Sequence, residues 1–291
     1  MTIALFGKNF KENFNSVIYN LLTKLLDNGH QVHIYRPFFD FLQCQKFMFN
    51  FSGFFDSSQK IPDHIDFLIS IGGDGTFLEA ITHIRQSGIP IVGINSGRLG
   101  FLANIASSEV DVALDYLIAK DYLIEERSML HLIATQPIFD SFPYALNDFT
   151  IRTTGPSLTN VHVTIDGNYL NSYWCDGIII STPTGSTAYS LSLGGPIVTP
   201  HSQNFIITPI AAHNLNVRPL VIPDNSVLKI TVEGRTDTYL ATLDSRSVTC
   251  SLNNEVIIDK ASFPIRLIKL PKLDFYATLR NKLMWGVDKR N

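Results

Sequence analysis

The chain has 291 residues, 45% of them hydrophobic, and a net charge of −3 at pH 7. This length allows two domains with substantial cores, and the charge balance argues against a broad basic surface for nucleic acid or an anionic membrane. No apolar run is long enough to cross a bilayer, and residues 1–7 resemble a first strand more than a signal peptide. We therefore expect a cytoplasmic protein with no nucleic-acid or membrane partner.

The first 125 residues alternate apolar strands with helical patterns. Strands are predicted at residues 3–6, 31–35, 67–71 and 91–94, and a helix with an apolar face from Val17 to Leu26 ends at Gly29. This alternation predicts an α/β domain with a Rossmann-like, doubly wound parallel sheet. Ligands in such sheets bind at the carboxyl ends of the strands.

Eight phenylalanines lie between Phe38 and Phe55 with little helical or strand periodicity. We expect a loop or an irregular helix that packs its rings onto the sheet. A flap near the functional site or a contact between subunits is the alternative.

The pattern changes at about Ser128 to short β-like runs, which predicts a β-rich domain over residues 126–262. Asp166-Gly167 is a turn signal between two of these runs. The tail, residues 263–291, has a strand-like part and an amphipathic end, and we expect it to dock back on the first domain. The predicted strands of the β-rich domain are 130–134, 145–152, 161–165, 177–181, 205–209, 227–232 and 255–258.

The turn Gly72-Gly73-Asp74-Gly75-Thr76 directly follows the apolar run 67–71. Glycines let a ligand approach the backbone, and the N–H groups of a helix opened by Thr76 attract anions, so the turn suits phosphate chemistry. Asp74 then stands where a base or a metal tether is useful. The alternative is an ordinary tight turn with Asp74 as the helix N-cap. Arg98, in a later glycine loop, meets a phosphate or makes a salt bridge.

A second turn carries eight hydroxyl residues within the twelve positions 181–192. Hydroxyls and exposed amides there can bind a polar, nucleotide-sized ligand. An ordinary Ser/Thr turn that caps a helix is the alternative, although one cap needs far fewer hydroxyls. The three cysteines, which are odd in number and widely separated, indicate neither a disulfide framework nor a zinc site, and we assign no residue as a metal ligand.

With these two turns, the pair Asn147-Asp148, the run Gly194-Gly195-Pro196 and the segment 212–219, the chain resembles the NAD kinases over nearly its whole length. The first turn is shared with diacylglycerol and sphingosine kinases, whereas the second is far more discriminating. The resemblance implies transfer of the terminal phosphoryl group of ATP to the adenosine 2′-hydroxyl of NAD. It also implies Mg²⁺ or another divalent cation with ATP, and a homodimer or homotetramer in which a neighbouring subunit completes the pocket.

The resemblance implies a role for each matching residue. Asp74 orients and deprotonates the 2′-hydroxyl, Asn147 and Asp148 contact the adenine edge and ribose hydroxyls, and Asp176 binds at the nicotinamide end. The other residues implied in NAD binding are Gly75, Trp174, Thr184, Thr187, Ala188, Tyr189, Ser190, Leu191, Ser192, Ala211 and Arg246, and the phosphate turn consists of Gly72, Gly73, Gly75 and Thr76.

Two positions depart from the family pattern. Asp244-Ser245-Arg246 stands where many relatives have Asp-Gly followed by Gln or Arg, so this turn forms without its glycine. Trp174 replaces an arginine of some relatives, and either stacks on the ligand or is packed. We expect His213 to be a structural residue rather than a base.

Two rival functions differ in class. A lipid or sugar kinase shares the first turn, but the low basic charge and the segment 176–196 argue against it. A silent dinucleotide-binding regulator has little need of the carboxylate of Asp74, which this chain retains. Sequence leaves open the donor (ATP or polyphosphate), the preference for NAD or NADH, feedback by NADP(H) and the number of subunits.

Overall fold

The computed structural model describes residues 1–59, 61–97, 99–139, 141–155, 158–271 and 274–285. Its contacts divide the chain into a first unit, Met1–Glu125 with Arg266–Asn291, and a second unit, Glu126–Ile265. The strands are β1 Thr2–Gly7, β2 Gln31–Tyr35, β3 Gly53–Phe55, β4 Phe67–Gly72, β5 Ile91–Asn95, β6 Leu123–Arg127, β7 Leu130–Ala134, β8 Tyr144–Ala145, β9 Asp148–Thr153, β10 Thr159–Ile165, β11 Asn168–Cys175, β12 Gly177–Ser181, β13 Asn204–Ile210, β14 Leu220–Pro223, β15 Leu228–Gly234, β16 Thr238–Leu243, β17 Arg246–Ser251, β18 Val256–Lys260 and β19 Ile265–Lys269. The α-helices are α1 Asn15–Asp27, α2 Arg36–Cys44, α3 Asp74–Ile84, α4 Val110–Ile118, α5 Tyr189–Ser192 and α6 Phe275–Leu283.

A seven-stranded sheet in the order β3-β2-β1-β4-β5-β19-β6 forms the centre of the first unit. The pairings from β3 through β19 are parallel. From β1 the chain adds strands on one side, then crosses back to place β4 on the other. The boundary between β1 and β4 is therefore the topological switch point, where open α/β sheets bind ligands.

The core of this unit joins the sheet to its helices. Ile18, Leu21, Leu22 and Leu25 form the buried face of α1, each within 1% of complete burial. Full burial of such a side chain stabilises the fold by about 1.5–3 kcal/mol. The four buried side chains therefore account for much of the free energy that holds α1 against the sheet. After the helix, Gly29 takes φ +71, which confirms the predicted stop.

The phenylalanine-rich segment contains a regular helix and a strand, so the prediction of a loop or irregular helix was wrong. Pro37 lies in the first turn of α2, where a missing N–H costs nothing, and Phe38 and Leu42 bury one helical face. Phe39 contacts Phe54 of β3 with ring centroids 4.9 Å apart. The period is hard to see in the sequence because Phe39 and Phe41 beside the buried face are half-buried as well, and further phenylalanines follow the helix at 47, 49 and 51.

Two six-stranded antiparallel sheets share one core in the second unit. Their orders are β11-β10-β15-β18-β7-β8 and β14-β13-β12-β9-β16-β17. Val161 and Ile230 of the first sheet lie in the same buried cluster as Phe149 and Ile178 of the second. The unit is thus a β-sandwich, and the predicted combination of an α/β domain with a β-rich domain is confirmed.

The predicted strand 145–152 is divided in the structure into β8 and β9. Leu146 and Asn147 leave the ladder because their N–H groups donate to the carboxylate of Asp244 instead of to a neighbouring strand. Asp166 and Gly167 both take positive φ, +51 and +78, which confirms the predicted turn. The strands β11, β14, β16 and β17 are additional to the prediction.

The tail contributes a strand and a helix to the first unit. β19 lies between β5 and β6 in the seven-stranded sheet, with Leu267 opposite Ile91. Asp274 caps α6, because its side chain accepts a hydrogen bond of 2.8 Å from the N–H of Ala277. Of the residues that the structure describes, no helix is long and apolar enough to cross a membrane.

Candidate functional site

The glycine turn lies at the switch point of the first unit. β4 ends at Gly72 and α3 begins at Asp74, two residues before the predicted start at Thr76. Gly73 precedes the helix in an extended conformation, so helical geometry begins directly after it. Asp74 is therefore a residue of the first helical turn and not the N-cap that the alternative interpretation required.

The carboxylate of Asp74 is held by backbone N–H groups of the loop after β5. Its Oδ1 accepts from Leu102 at 3.0 Å and from Ala103 at 2.9 Å, and its Oδ2 accepts from Phe101 at 2.9 Å. A Cβ atom on Gly100 would collide with this carboxylate. The loop can approach so closely because residue 100 has no side chain, and the three donors fix the direction in which Asp74 points.

The glycines around Asp74 differ in what they touch. A Cβ on Gly72 would collide with the side chain of Thr76, whereas Gly73 and Gly75 have no atom within 4 Å of such a position and are exposed. Gly73 and Gly75 are therefore not required by packing within the chain. Their open backbone is the part of the turn that a ligand can approach. Arg98 lies outside the described residues.

In the second unit, Asn147 and Asp148 lie beside the hydroxyl-rich turn. Ser181 is opposite Asp148 in the pairing of β12 with β9, and the N–H of Thr182 donates to the carbonyl of Asn147 at 2.9 Å. A Cβ on Gly185 would collide with the same carbonyl oxygen. The structure thus places Asn147 and Asp148, which are predicted to contact the adenine edge and the ribose, beside residues 181–192.

Several hydroxyls of that turn are engaged inside the protein. Ser186 Oγ donates to Pro183 O at 2.7 Å, Thr187 Oγ1 donates to Thr184 O at 3.2 Å, and Ser190 Oγ lies 2.8 Å from Thr208 Oγ1. These bonds build the loop rather than face solvent. Among the predicted residues of this turn, Thr184 and Ser190 are buried, Thr187, Ala188 and Leu191 are half-buried, and Tyr189 and Ser192 are exposed.

The predicted residues Trp174, Asp176 and Ala211 form a separate group. The N–H of Asp176 donates to Ile210 O at 3.0 Å, and Ala211 follows with φ +48. Asp176 precedes β12, whereas Ser181 ends it, so the two groups are separated by five residue steps, about 16 Å of extended strand. Trp174 is 60% exposed, which argues against the packed alternative.

Asp244 is a residue of this site that the sequence did not single out for a role. Its carboxylate accepts N–H bonds from Leu146 at 2.9 Å, Asn147 at 2.8 Å and Asp148 at 3.2 Å. Asp244 takes φ +53 in the β16–β17 turn, while Ser245 does not take a positive φ. The turn therefore forms without the family's glycine. The sequence carries no local signal for these contacts, because they join segments far apart in the chain.

Electrostatics in this region centre on Asp148 and Asp244. Burial, together with the nearby carboxylate of Asp244, raises the pKa of Asp148 to about 7. Burial also raises the pKa of Asp244, while its three N–H donors and the guanidinium of Arg246 oppose that shift. Arg246 itself donates to the carbonyls of Phe142 at 2.5 Å and Tyr144 at 2.6 Å.

The donor set of the chain bears on metal binding. Within the described ranges, no group of three or more His, Cys, Asp or Glu side chains could hold a metal ion. Mg²⁺ in kinase sites is held largely by substrate phosphates and water, with one or two carboxylates. The donor set therefore fits a cation that arrives with a nucleotide better than a resident ion.

Comparison with known proteins gives consistent matches. The model of the ATP-NAD kinase N-terminal domain matches residues 55–122, and that of the ATP-NAD kinase C-terminal domain matches residues 146–270. The chain is 45% identical to an NAD kinase of Flavobacterium psychrophilum and 44% identical to one of Cytophaga hutchinsonii, each over 100% of both chains.

Two solved structures resemble the fold. A yeast NADH kinase complexed with NADH superposes with a TM-score of 0.86 at 22% identity, over 99% of this chain and 88% of that chain. An NAD kinase from Archaeoglobus fulgidus in complex with ATP superposes with a TM-score of 0.73 at 26% identity, over 98% and 99%. Both domain models and the full-length relatives agree, and the chain belongs to the NAD kinase family.

Proposed function

We propose that the chain is an NAD kinase whose reacting carboxylate is Asp74. The enzyme transfers the terminal phosphoryl group of ATP to the adenosine 2′-hydroxyl of NAD and releases NADP and ADP. The observation that carries this proposal is the position of Asp74 at the switch point, held by three N–H donors. A carboxylate fixed at the carboxyl end of a parallel strand is well placed to orient an acceptor hydroxyl.

The contacts of Asp74 favour one of its oxygens for this task. Oδ1 accepts two N–H bonds and Oδ2 accepts one. Since each carboxylate oxygen has two lone pairs, Oδ2 keeps one free for the 2′-hydroxyl. As the new oxygen–phosphorus bond forms and the bond to the departing ADP breaks, the hydroxyl proton passes to Oδ2. The loose transition state of phosphoryl transfer places little demand on the strength of this base.

Mg²⁺ or another divalent cation, bound to ATP, supplies neutralisation of the phosphate charge. The exposed, open backbone at Gly73 and Gly75 supports an approach of phosphates to this turn. Asn147 is suited to an adenine edge because an amide both donates and accepts, and an ionised Asp148 is suited to two vicinal ribose hydroxyls. The predicted pocket further contains Tyr189 and its neighbours in the turn 184–192.

We assign Trp174, Asp176 and Ala211 to the nicotinamide end, contributed by a neighbouring subunit of a homodimer or homotetramer. The separation of this group from Asp148 and the hydroxyl-rich turn, at the opposite end of β12, supports that arrangement. Arg246 donates N–H groups to the carbonyls of Phe142 and Tyr144. Its predicted contact with NAD is therefore made by its remaining N–H groups. We place the enzyme in the cytoplasm, where both of its substrates are available.

The test is a coupled assay of NADP formed from NAD and Mg-ATP by the wild type, Asp74→Asn and the control Asp63→Asn, which alters an exposed carboxylate of the same unit. Loss of a general base lowers kcat by roughly 10²–10⁴-fold, so we expect a fall of that size in Asp74→Asn alone, with NAD binding retained. Undiminished turnover of Asp74→Asn would remove the assigned role. If the wild type folds and binds NAD but forms no NADP with ATP or polyphosphate, the result would favour a silent dinucleotide-binding regulator.

A further inference from the structure

The turn between β16 and β17 forms hydrogen bonds with the segment that leads into the Asn147-Asp148 pair. The carboxylate of Asp244 accepts the N–H groups of Leu146, Asn147 and Asp148, and the N–H of Asp244 donates back to Asp148 O at 2.9 Å. Two residues later, Arg246 holds two carbonyls of the same segment. The turn and the first residue of β17 together fix the segment at both its donors and its acceptors.

These contacts determine how the pair is presented. Because the N–H groups of Leu146 and Asn147 are turned towards Asp244, neither residue continues the ladder between β8 and β9. The backbone at Asn147 is consequently held by a carboxylate instead of by strand pairing, whereas Asp148, the first residue of β9, is held by both. An asparagine at position 244 would have one carbonyl oxygen with which to accept the three N–H groups.

The same carboxylate also acts electrostatically on the side chain of Asp148. The groups around Asp148 in the second unit are the hydroxyl of Thr150, which donates to its Oδ1 at 3.1 Å, the carboxylate of Asp244, and the guanidinium of Arg246 beyond it. Burial raises the pKa of both carboxyls, but only Asp244 accepts three N–H bonds and lies near a guanidinium, which favour its ionised form. We therefore take Asp148 as the carboxyl of this pair that holds the proton.

We infer that Asp244 is a positioning residue for dinucleotide binding: it fixes the backbone of Asn147 and Asp148, and its charge controls when Asp148 becomes an acceptor for ribose hydroxyls. The inference rests on the proposed function, in which Asp148 contacts the bound NAD. Ionised Asp148 can accept one hydroxyl on each oxygen, whereas in protonated Asp148 one oxygen carries the proton and acts as a donor, so NAD binds more tightly as pH rises through the titration of Asp148.

The experiment measures the Kd of NAD by calorimetry from pH 5.5 to 8.5 without ATP, so that titration of the triphosphate does not contribute. For the wild type we expect Kd to fall with rising pH and to level off above about 7. In Asp244→Asn we expect weaker binding overall and an inflection about one pH unit lower, because a carboxylate that raised the pKa of Asp148 has been neutralised. Asp237→Asn, an exposed carboxylate just before β16, is the matched control and keeps the wild-type profile.

A purely structural role for Asp244 predicts a different result. It would weaken binding by the same factor at every pH and leave the inflection in place, and that outcome would overturn the inference. Asp148→Asn is the second variant: it removes the inflection if Asp148 is the titrating group, and an inflection that persists also overturns the inference. Failure of the proposed function is distinguishable, because it would appear as absence of NADP formation at all pH values in the wild type.

Discussion

Replacing Asp148 by asparagine changes the pH dependence of stability in the second unit. The pKa of Asp148 rises from 3.8 in the unfolded chain to about 7 in the folded one, so between these values the folded chain holds a proton that the unfolded chain has lost. The contribution of Asp148 to stability therefore falls as pH rises from 4 to 7 and is constant above. Each pKa unit corresponds to about 1.4 kcal/mol, so the fall between pH 5 and pH 8 is about 2–3 kcal/mol.

An asparagine at position 148 does not ionise, so this fall in stability with rising pH does not occur in the variant. We expect the free energy of unfolding of Asp148→Asn, measured relative to the wild type, to increase by about 2–3 kcal/mol from pH 5 to pH 8. The chain has two tryptophans, and a Trp285→Phe background leaves Trp174 as a reporter for the second unit in urea unfolding. Titrating groups remote from position 148 cancel in the comparison, whereas Asp244, which interacts with Asp148, does not. A difference between the two proteins that is equal at both pH values would refute the reasoning.

Two further predictions concern the loop that holds Asp74 and the assembly of the pocket. Gly100→Ala forces the loop away from Asp74, so we expect kcat to fall at least tenfold, whereas Gly97→Ala, with no atom within 4 Å of its new Cβ, keeps near wild-type kcat; equal effects in the coupled assay would contradict the assigned contact. If the Asp176 group comes from a neighbouring subunit, inactive Asp74→Asn and Asp176→Asn subunits can complement each other when they are unfolded together and refolded. In a dimer, half of the molecules are then mixed and one of the two sites in each is intact, so we expect about a quarter of wild-type activity. A mixture that stays inactive, or an enzyme that is monomeric by light scattering, would refute the shared pocket.

The parallel sheet of the first unit was predictable because its strands are continuous apolar runs. Residues 67–71 and 91–94 are buried on both faces, so their sequences carry no polar residue to obscure the strand, apart from the buried Ser70. Ligands of such sheets bind at the carboxyl ends of the strands, and this is why Asp74 could be proposed as a site residue from sequence. Strands such as β11 were missed because both faces mix polar and apolar residues, so their sequence does not alternate.

What sequence could not provide are the contacts between distant segments. The three N–H donors to Asp74 come from a loop that begins after another strand, and Leu146, the first partner of Asp244, lies 98 residues away from it in the chain. Neither contact is marked in the sequence by a hydrophobic period or by a local composition. Helix α2 was missed for a different reason, since it has only nine residues and the phenylalanines that follow it, at 47, 49 and 51, share no helical period with it.

The place of β19 in the first sheet has a consequence for how this protein is made. Because β19 lies between β5 and the edge strand β6 in a sheet whose other strands precede residue 128, the first unit is discontinuous and the second is an insertion within it. During synthesis, the inserted sandwich is complete before the strand that finishes the surrounding sheet has left the ribosome. The contiguous unit can thus fold first, while the unit that carries Asp74 has to keep an open gap between β5 and β6 until the last residues arrive.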